Sequence, residues 1–156
     1  MGILAILLSL SLTVLSAARR GRAQAQCAAN LRAIGIAFSM YIQENKEYFP
    51  NPTPENQWED LLRPYTPRAT FRCAADSELF TALGSSYDWR DTGDARTTLA
   101  GRMVLQVSRS DLALAFDALP DWHQKNTVQV LHVSNVVNLV DTPAFFTDMQ
   151  RSASGP

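Results

Sequence analysis

Two cysteines, two histidines and two clusters of aspartates are the residues of this 156-residue chain whose types lend themselves to chemistry. Cys27 and Cys73 have no Cys or His close by in sequence, so the short ligand spacings of a metal site are missing. Two readings of them stand. One is a single disulfide in an oxidising compartment, which in the chain-entropy picture would stabilise the fold by about 4 kcal/mol. The other is a pair of buried thiols packed as small apolar side chains. Asp117, Asp121 and His123 lie together beside Trp122 and have the outline of an acid/base pair. No serine elbow, Cys–His context or glycine-rich phosphate loop accompanies them, so a catalytic role is not expected. His132 falls on an expected strand, as a packed or surface ring. Asp88, Asp91 and Asp94 form an acidic loop (DWRDTGD) with the oxygen chemistry calcium takes, but not the alternating spacing and distal Glu of an EF-hand. A solvated turn is the plain alternative. Trp58, Trp89 and Trp122 read as core or interface anchors. No catalytic residue and no cofactor is expected.

The elements that must position these groups begin with an uncharged apolar run, Gly2 to Ala18, leading straight into Arg19, Arg20 and Arg22. A stripe at Cys27, Leu31, Ile34, Phe38 and Tyr41 carries the same helix onward with amphipathic periodicity. The spacing predicts one unbroken helix to about Asn45, with Leu31, Ile34, Phe38 and Tyr41 facing a sheet and Arg32, Ser39, Gln43 and Glu44 facing water. Gly35 lies on or beside the packed face, where a missing Cβ permits close approach. Pro50, Pro52 and Pro54 end the helix. A short helix is expected from a Thr53 cap and Pro54 to before Pro64. Strands are expected at Leu99–Val107, Leu112–Phe116, Val128–Val133 and Val136–Val140, the last two joined across Ser134-Asn135. The result is an α+β fold, a long hydrophobic-then-amphipathic helix on a small antiparallel sheet. Its divisions are a transmembrane or filament-core segment (1–26), a globular head (27–150) and a frayed tail (151–156).

Charge narrows the function. All 15 acidic residues lie beyond Gln26 and three of the 14 basic ones before it, leaving 11 basic against 15 acidic groups in the head. A net of −4 without a basic stripe argues against nucleic-acid binding. The N-terminus has three readings. Ala23-Gln24-Ala25 has the form of a signal-peptidase site, but no basic residues precede the apolar run and three arginines follow it, the reverse of an ordinary signal. A membrane anchor with its arginine flank in the cytoplasm satisfies the positive-inside rule but puts the cysteines in a reducing compartment. In the third reading the apolar segment is incomplete at its start.

The stretch CAANLRAIGIAFSMYIQENKEYFP, with Cys27, Asn30, Leu31, Ile34, Gly35, Tyr41, Asn45, Phe49 and Pro50, resembles the pseudopilin-like proteins of planctomycetes and verrucomicrobia. These carry a prepilin-type N-terminal methylation segment. The likeness continues through Trp58, Leu61 and Leu62, then Phe71, Cys73 and Asp76 (Phe-x-Cys-x-x-Asp), Ser86-Tyr87, and a terminal hairpin over Val128 to Val140. It implies a pilin-like head and a structural role in a type IV pilus or type II secretion-like apparatus. The partners would be other pilin-like subunits and the assembly machinery. The protein would be single-pass in the cytoplasmic (inner) membrane, with its head outside the cytoplasm. The chain departs from the pattern in lacking Phe-Thr-Leu-Ile-Glu and any acidic residue before Glu44. Met1 falls roughly ten residues inside the family's apolar segment, so the expectation is an upstream start or a lost processing site. Ser134-Asn135 replaces the usual Asp-Gly. The other classes are a membrane-anchored extracytoplasmic binding domain that does not polymerise, and a secreted enzyme released by signal peptidase.

Overall fold

The computed structural model describes residues 2–154, with side chains from Leu15 onward. Helix α1 spans Gly2–Glu44, 43 residues or about 65 Å. The apolar run up to Val14 lies outside the described side chains. Among the described residues no helix is long and apolar enough to cross a membrane. Residues 15–22 are exposed, and burial begins in earnest at Cys27. From there Leu31, Ile34, Ala37 and Phe38 are buried at the three- and four-residue steps of one helical face. Tyr41, at the end of this stripe, is half-buried and meets Tyr65 edge-on at 6.2 Å. The helix ends where Lys46 and Glu47 both take positive φ and the Glu47 N–H reaches back to the Ile42 carbonyl.

Four antiparallel strands follow in spatial order β1-β2-β3-β4: Tyr87–Trp89, Ala113–Asp117, Thr127–His132 and Val137–Asp141. Helix α1 crosses one face of this meander, against β2, β3 and β4. Phe38, Trp58 and Trp89 stack there, with centroids 5.8 Å apart for Phe38–Trp58 and 5.5 Å for Phe38–Trp89, and Phe71 closes on Trp58 at 5.3 Å. Trp58 and Trp89 are thus core anchors, whereas Trp122 is half-buried. Gly35 serves close approach as expected, although to side chains rather than strand backbone. A Cβ there would collide with Asn135 Oδ1 and meet the Leu131 methyls at 3.2 Å.

The terminal hairpin forms between β3 and β4, with Leu131 opposite Val137. The turn is longer than expected. The His132 N–H donates to the Val136 carbonyl and the Asn135 N–H to the His132 carbonyl, so three residues, Val133 to Asn135, make the loop. Only Asn135 takes positive φ, at 63°, as in a tight turn completed by one left-handed residue.

Several expectations are corrected. Leu99–Val107 is not a strand. Gly101 turns the chain at φ 64°, Val104–Gln106 is a 3-10 turn, and pairing reduces to a bridge between Tyr48 and Met103. The fourth strand is β1, which overlaps the start of the stretch read as an acidic loop. The small helix α2 is Trp58–Leu62, preceded by Gln57 rather than capped by Thr53. Thr53 instead closes a turn with Asn56 through two backbone bonds. A further short helix, α3, covers Leu79–Leu83. The hairpin does not end the fold either. Helix α4, Thr142–Met149, packs Phe145 against Phe116 at 4.7 Å on the sheet face opposite α1, beside Ala113, Val128 and Val130. The residues read as a frayed tail continue this layer up to Ser154. Ala153 is buried and its N–H donates to the Arg96 carbonyl.

Candidate functional site

The Cys27–Cys73 disulfide is formed, with Cα atoms 5.2 Å apart, and ties α1 to the loop before α3. Both cysteines are fully buried. Several of the residues that carry the pilin-like resemblance gather around this bridge. Asn30 Nδ2, one turn along α1, donates to the Arg72 carbonyl at 2.8 Å and reaches Tyr87 Oη at 3.4 Å. The Ser86 N–H donates to the Phe71 carbonyl at 2.8 Å, and its hydroxyl donates to Asp76 Oδ2. Asp76 also accepts the N–H groups of Glu78, Leu79 and Phe80, so this carboxylate holds the first turn of α3. Burial alone raises its pKa, but the bonds from Ser86 and the three amides outweigh it and hold it below the ordinary value. Residues far apart in sequence thus serve one purpose, fixing the loop that carries Cys73 against the helix that carries Cys27.

In sequence neither cysteine has a histidine neighbour, but in space one does. The loop between β2 and β3 folds back so that His123 Nε2 lies 3.6 Å from Cys73 Sγ. The same nitrogen lies 3.5 Å from Asp117 Oδ2, at the end of β2. The Cys27, Cys73 and His123 ligand atoms all fall within 4.8 Å of one another. Asp117 Oδ2 accepts the Gln129 N–H at 3.1 Å, whereas Asp117 Oδ1 and Gln129 Oε1 are buried without a hydrogen-bond partner.

The sequence grouping of Asp117, Asp121 and His123 therefore divides. Asp117 and His123 meet, while Asp121 is exposed, takes positive φ and accepts the Asn126 N–H to close its own turn. His132 Nδ1 lies 2.8 Å from the Asp111 carbonyl, a local tie at the strand end.

Burial pushes the Asp117 carboxyl up to about 7, opposed by the Gln129 N–H, and pushes the His123 imidazole below its ordinary value. Both shifts favour the neutral forms. For Asp117 the folded chain keeps a proton that the unfolded chain releases near pH 4. Its stabilising contribution is complete below that pH and is lost as pH rises through about 7. His123 works in the opposite sense, so the comparison with Asp117→Asn isolates the aspartate. In urea titrations the stability of wild type relative to Asp117→Asn should fall between about pH 4 and pH 7 and then level off. A pH-independent difference would mean that Asp117 does not carry this proton.

The acidic loop does not assemble. Asp88 Oδ1 accepts the Trp89 N–H, Asp91 Oδ1 accepts the Thr98 hydroxyl, and Asp94 pairs with Arg96. What the loop positions is Arg90, which the sequence reading passes over. Its side chain is fully buried. It donates to the Thr97 carbonyl, Asp148 Oδ2, and the Asp148 and Arg151 carbonyls at 2.8–2.9 Å. An arginine flanked by aspartates reads as solvated surface, and no local signal marks it as a latch on α4. No family model, curated protein or solved structure matches the chain.

Proposed function

We propose that the chain is a structural, pilin-like subunit that is held in the membrane by its N-terminal helix. It polymerises through that helix in a type IV pilus or type II secretion-like assembly. The carrying observation is that α1 is one unbroken helix of 43 residues in which, among the described side chains, residues 15–22 are exposed and the head's packing begins only at Cys27. The bridge at Cys27 and the packed stripe beyond it make a rigid junction, and the helix continues outward from there. A disposable signal needs no such continuity. Ile36 and Met40, one turn apart on the face of α1 turned from the head, are 59% and 43% exposed. They supply apolar area for a neighbouring subunit. The buried Asp117–His123 pair, closed in by the disulfide, suits a structural head better than a hydrolase.

Membrane fractionation of the full chain tests the reading. Charges placed within Leu7–Leu15 should release the head, at about 2.5–3.5 kcal/mol for each central charge. Ile36→Glu should keep the protein in the membrane but abolish cross-linked multimers. Retention without multimers in the wild type would favour the non-polymerising anchored domain. A soluble protein beginning at Gln26 would favour the secreted one.

A further inference from the structure

We propose that Cys27, Cys73 and His123, with Asp117 as fourth ligand, form a zinc-type metal site when the disulfide is reduced. The junction between helix and head would then have two closed states, one covalently bridged and one bridged by metal. This does not depend on polymerisation.

The ligand set and its spacing carry the inference. Tetrahedral zinc with Zn–S near 2.3 Å and Zn–N near 2.0–2.1 Å holds sulfur and nitrogen about 3.6 Å apart, and nitrogen and oxygen about 3.4 Å apart. Cys73 Sγ to His123 Nε2 is 3.6 Å, and His123 Nε2 to Asp117 Oδ2 is 3.5 Å. Both distances are close to tetrahedral edges, and the nitrogen–oxygen contact is long for a hydrogen bond. Nε2 thus faces a sulfur and a carboxylate at once, although the Asp117 carboxylate lies outside the 4.8 Å cluster of the two sulfurs and Nε2 and must swing inward to complete the set. The second observation is Asp117 itself. Its side chain is 2% exposed, and while Oδ2 accepts the Gln129 N–H, Oδ1 has no hydrogen-bond partner, so the carboxylate keeps one free acceptor that it can turn toward a cation. Two thiolates and a neutral imidazole balance a divalent cation, and Asp117 adds the single negative charge that a Cys3His set also carries. An open groove of about 530 Å³, lined by Gln26, Asn30, Arg72, Cys73 and Asp76, reaches the segment that carries Cys73, while both sulfur-bearing residues are fully buried beneath it.

The chemistry balances with a dithiol reductant. The donor gives two electrons and two protons, is itself oxidised to a disulfide, and the Cys27–Cys73 bond opens to two thiols. Binding of the cation then displaces both thiol protons to solvent. Metal and disulfide exclude each other because both need the same two sulfurs.

Cobalt reports the site. The full chain, in detergent and without oxygen, is reduced with a dithiol, freed of it and titrated with Co2+. The expected result is one equivalent bound with thiolate-to-cobalt charge transfer and tetrahedral visible bands, displaced by zinc and absent from the oxidised protein. His123→Gln and Asp117→Asn, checked for native circular dichroism in their oxidised forms, should each weaken binding at least about tenfold. Cys73→Ser, which cannot form the bridge and keeps one thiolate, should bind more weakly and lose at least about half of the charge transfer whether or not it is reduced. Cobalt bound without thiolate bands, or equally by oxidised protein, would overturn the proposal. So would a His123→Gln affinity equal to wild type, or a reduced chain that unfolds and is not restored by cobalt.

Discussion

Replacing Arg90 with Met is expected to destabilise the protein by about 3–5 kcal/mol, because it removes the buried partner of an ion pair and leaves Asp148 with only the half-buried Arg151 as its cation. The guanidinium is fully buried and serves four acceptors on two segments: the Thr97 carbonyl on one side, and Asp148 Oδ2 with the Asp148 and Arg151 carbonyls on the other. Burial works against its charge, and Asp148 offsets part of that cost. Methionine fills similar volume but offers no donor, so several carbonyls lose their bonds together. Arg90→Lys should recover only part of the loss, since an ammonium is not a planar fork. Hydrogen exchange gives the location. The amides of α4 and of Arg151 to Ala153 should lose protection while Leu31 to Phe38 keep theirs. Unchanged protection of α4 would show that the hydrophobic contact of Phe145 with Phe116 alone holds this layer.

The second large effect lies on the opposite face of the sheet. Phe38→Ala should cost about 3–5 kcal/mol through lost burial and a residual cavity. Phe38 is 1% exposed and lies against Trp58 and Trp89, rigid rings that cannot readily collapse into the space. Tyr41→Ala, at the half-buried end of the same stripe, should cost much less. Urea titration with tryptophan fluorescence reads both, since two of the three indoles border the Phe38 site. Equal costs at Phe38 and Tyr41 would mean that the packed face extends a full turn further than their burial indicates.

What these experiments probe was legible in the sequence to different depths. The phase of α1 was written locally. Leu31, Ile34 and Phe38 recur with the helical period, and a helix must bury whichever face that period makes apolar. The β3–β4 hairpin was also local, two β-rich runs with Asn135 able to take the left-handed turn position. The long apolar run and its arginine flank were likewise sequence properties, and they carry the functional proposal.

Tertiary structure decided the rest. Leu99–Val107 has apolar residues enough for a strand, yet Gly101 turns it against Pro50 and leaves Tyr87–Trp89 to pair with β2, because sheet edges are filled by long-range partners rather than by composition. Helix α4 carries a proline in its first turn and is only eight residues long, and it exists because Phe145 finds Phe116 across the sheet. The apparent tail is held by Arg90, 61 residues upstream of Arg151. Asp117, Asp121 and His123 stand together in the sequence, but only the fold separates Asp121 from them and brings in Cys73. Periodicity and turn chemistry act over a few residues, so the sequence could specify the helix, its buried face and the hairpin. Which distant side chains share a buried space depends on how the chain closes its loops, and this placed His123 against the bridge and Arg90 beneath α4.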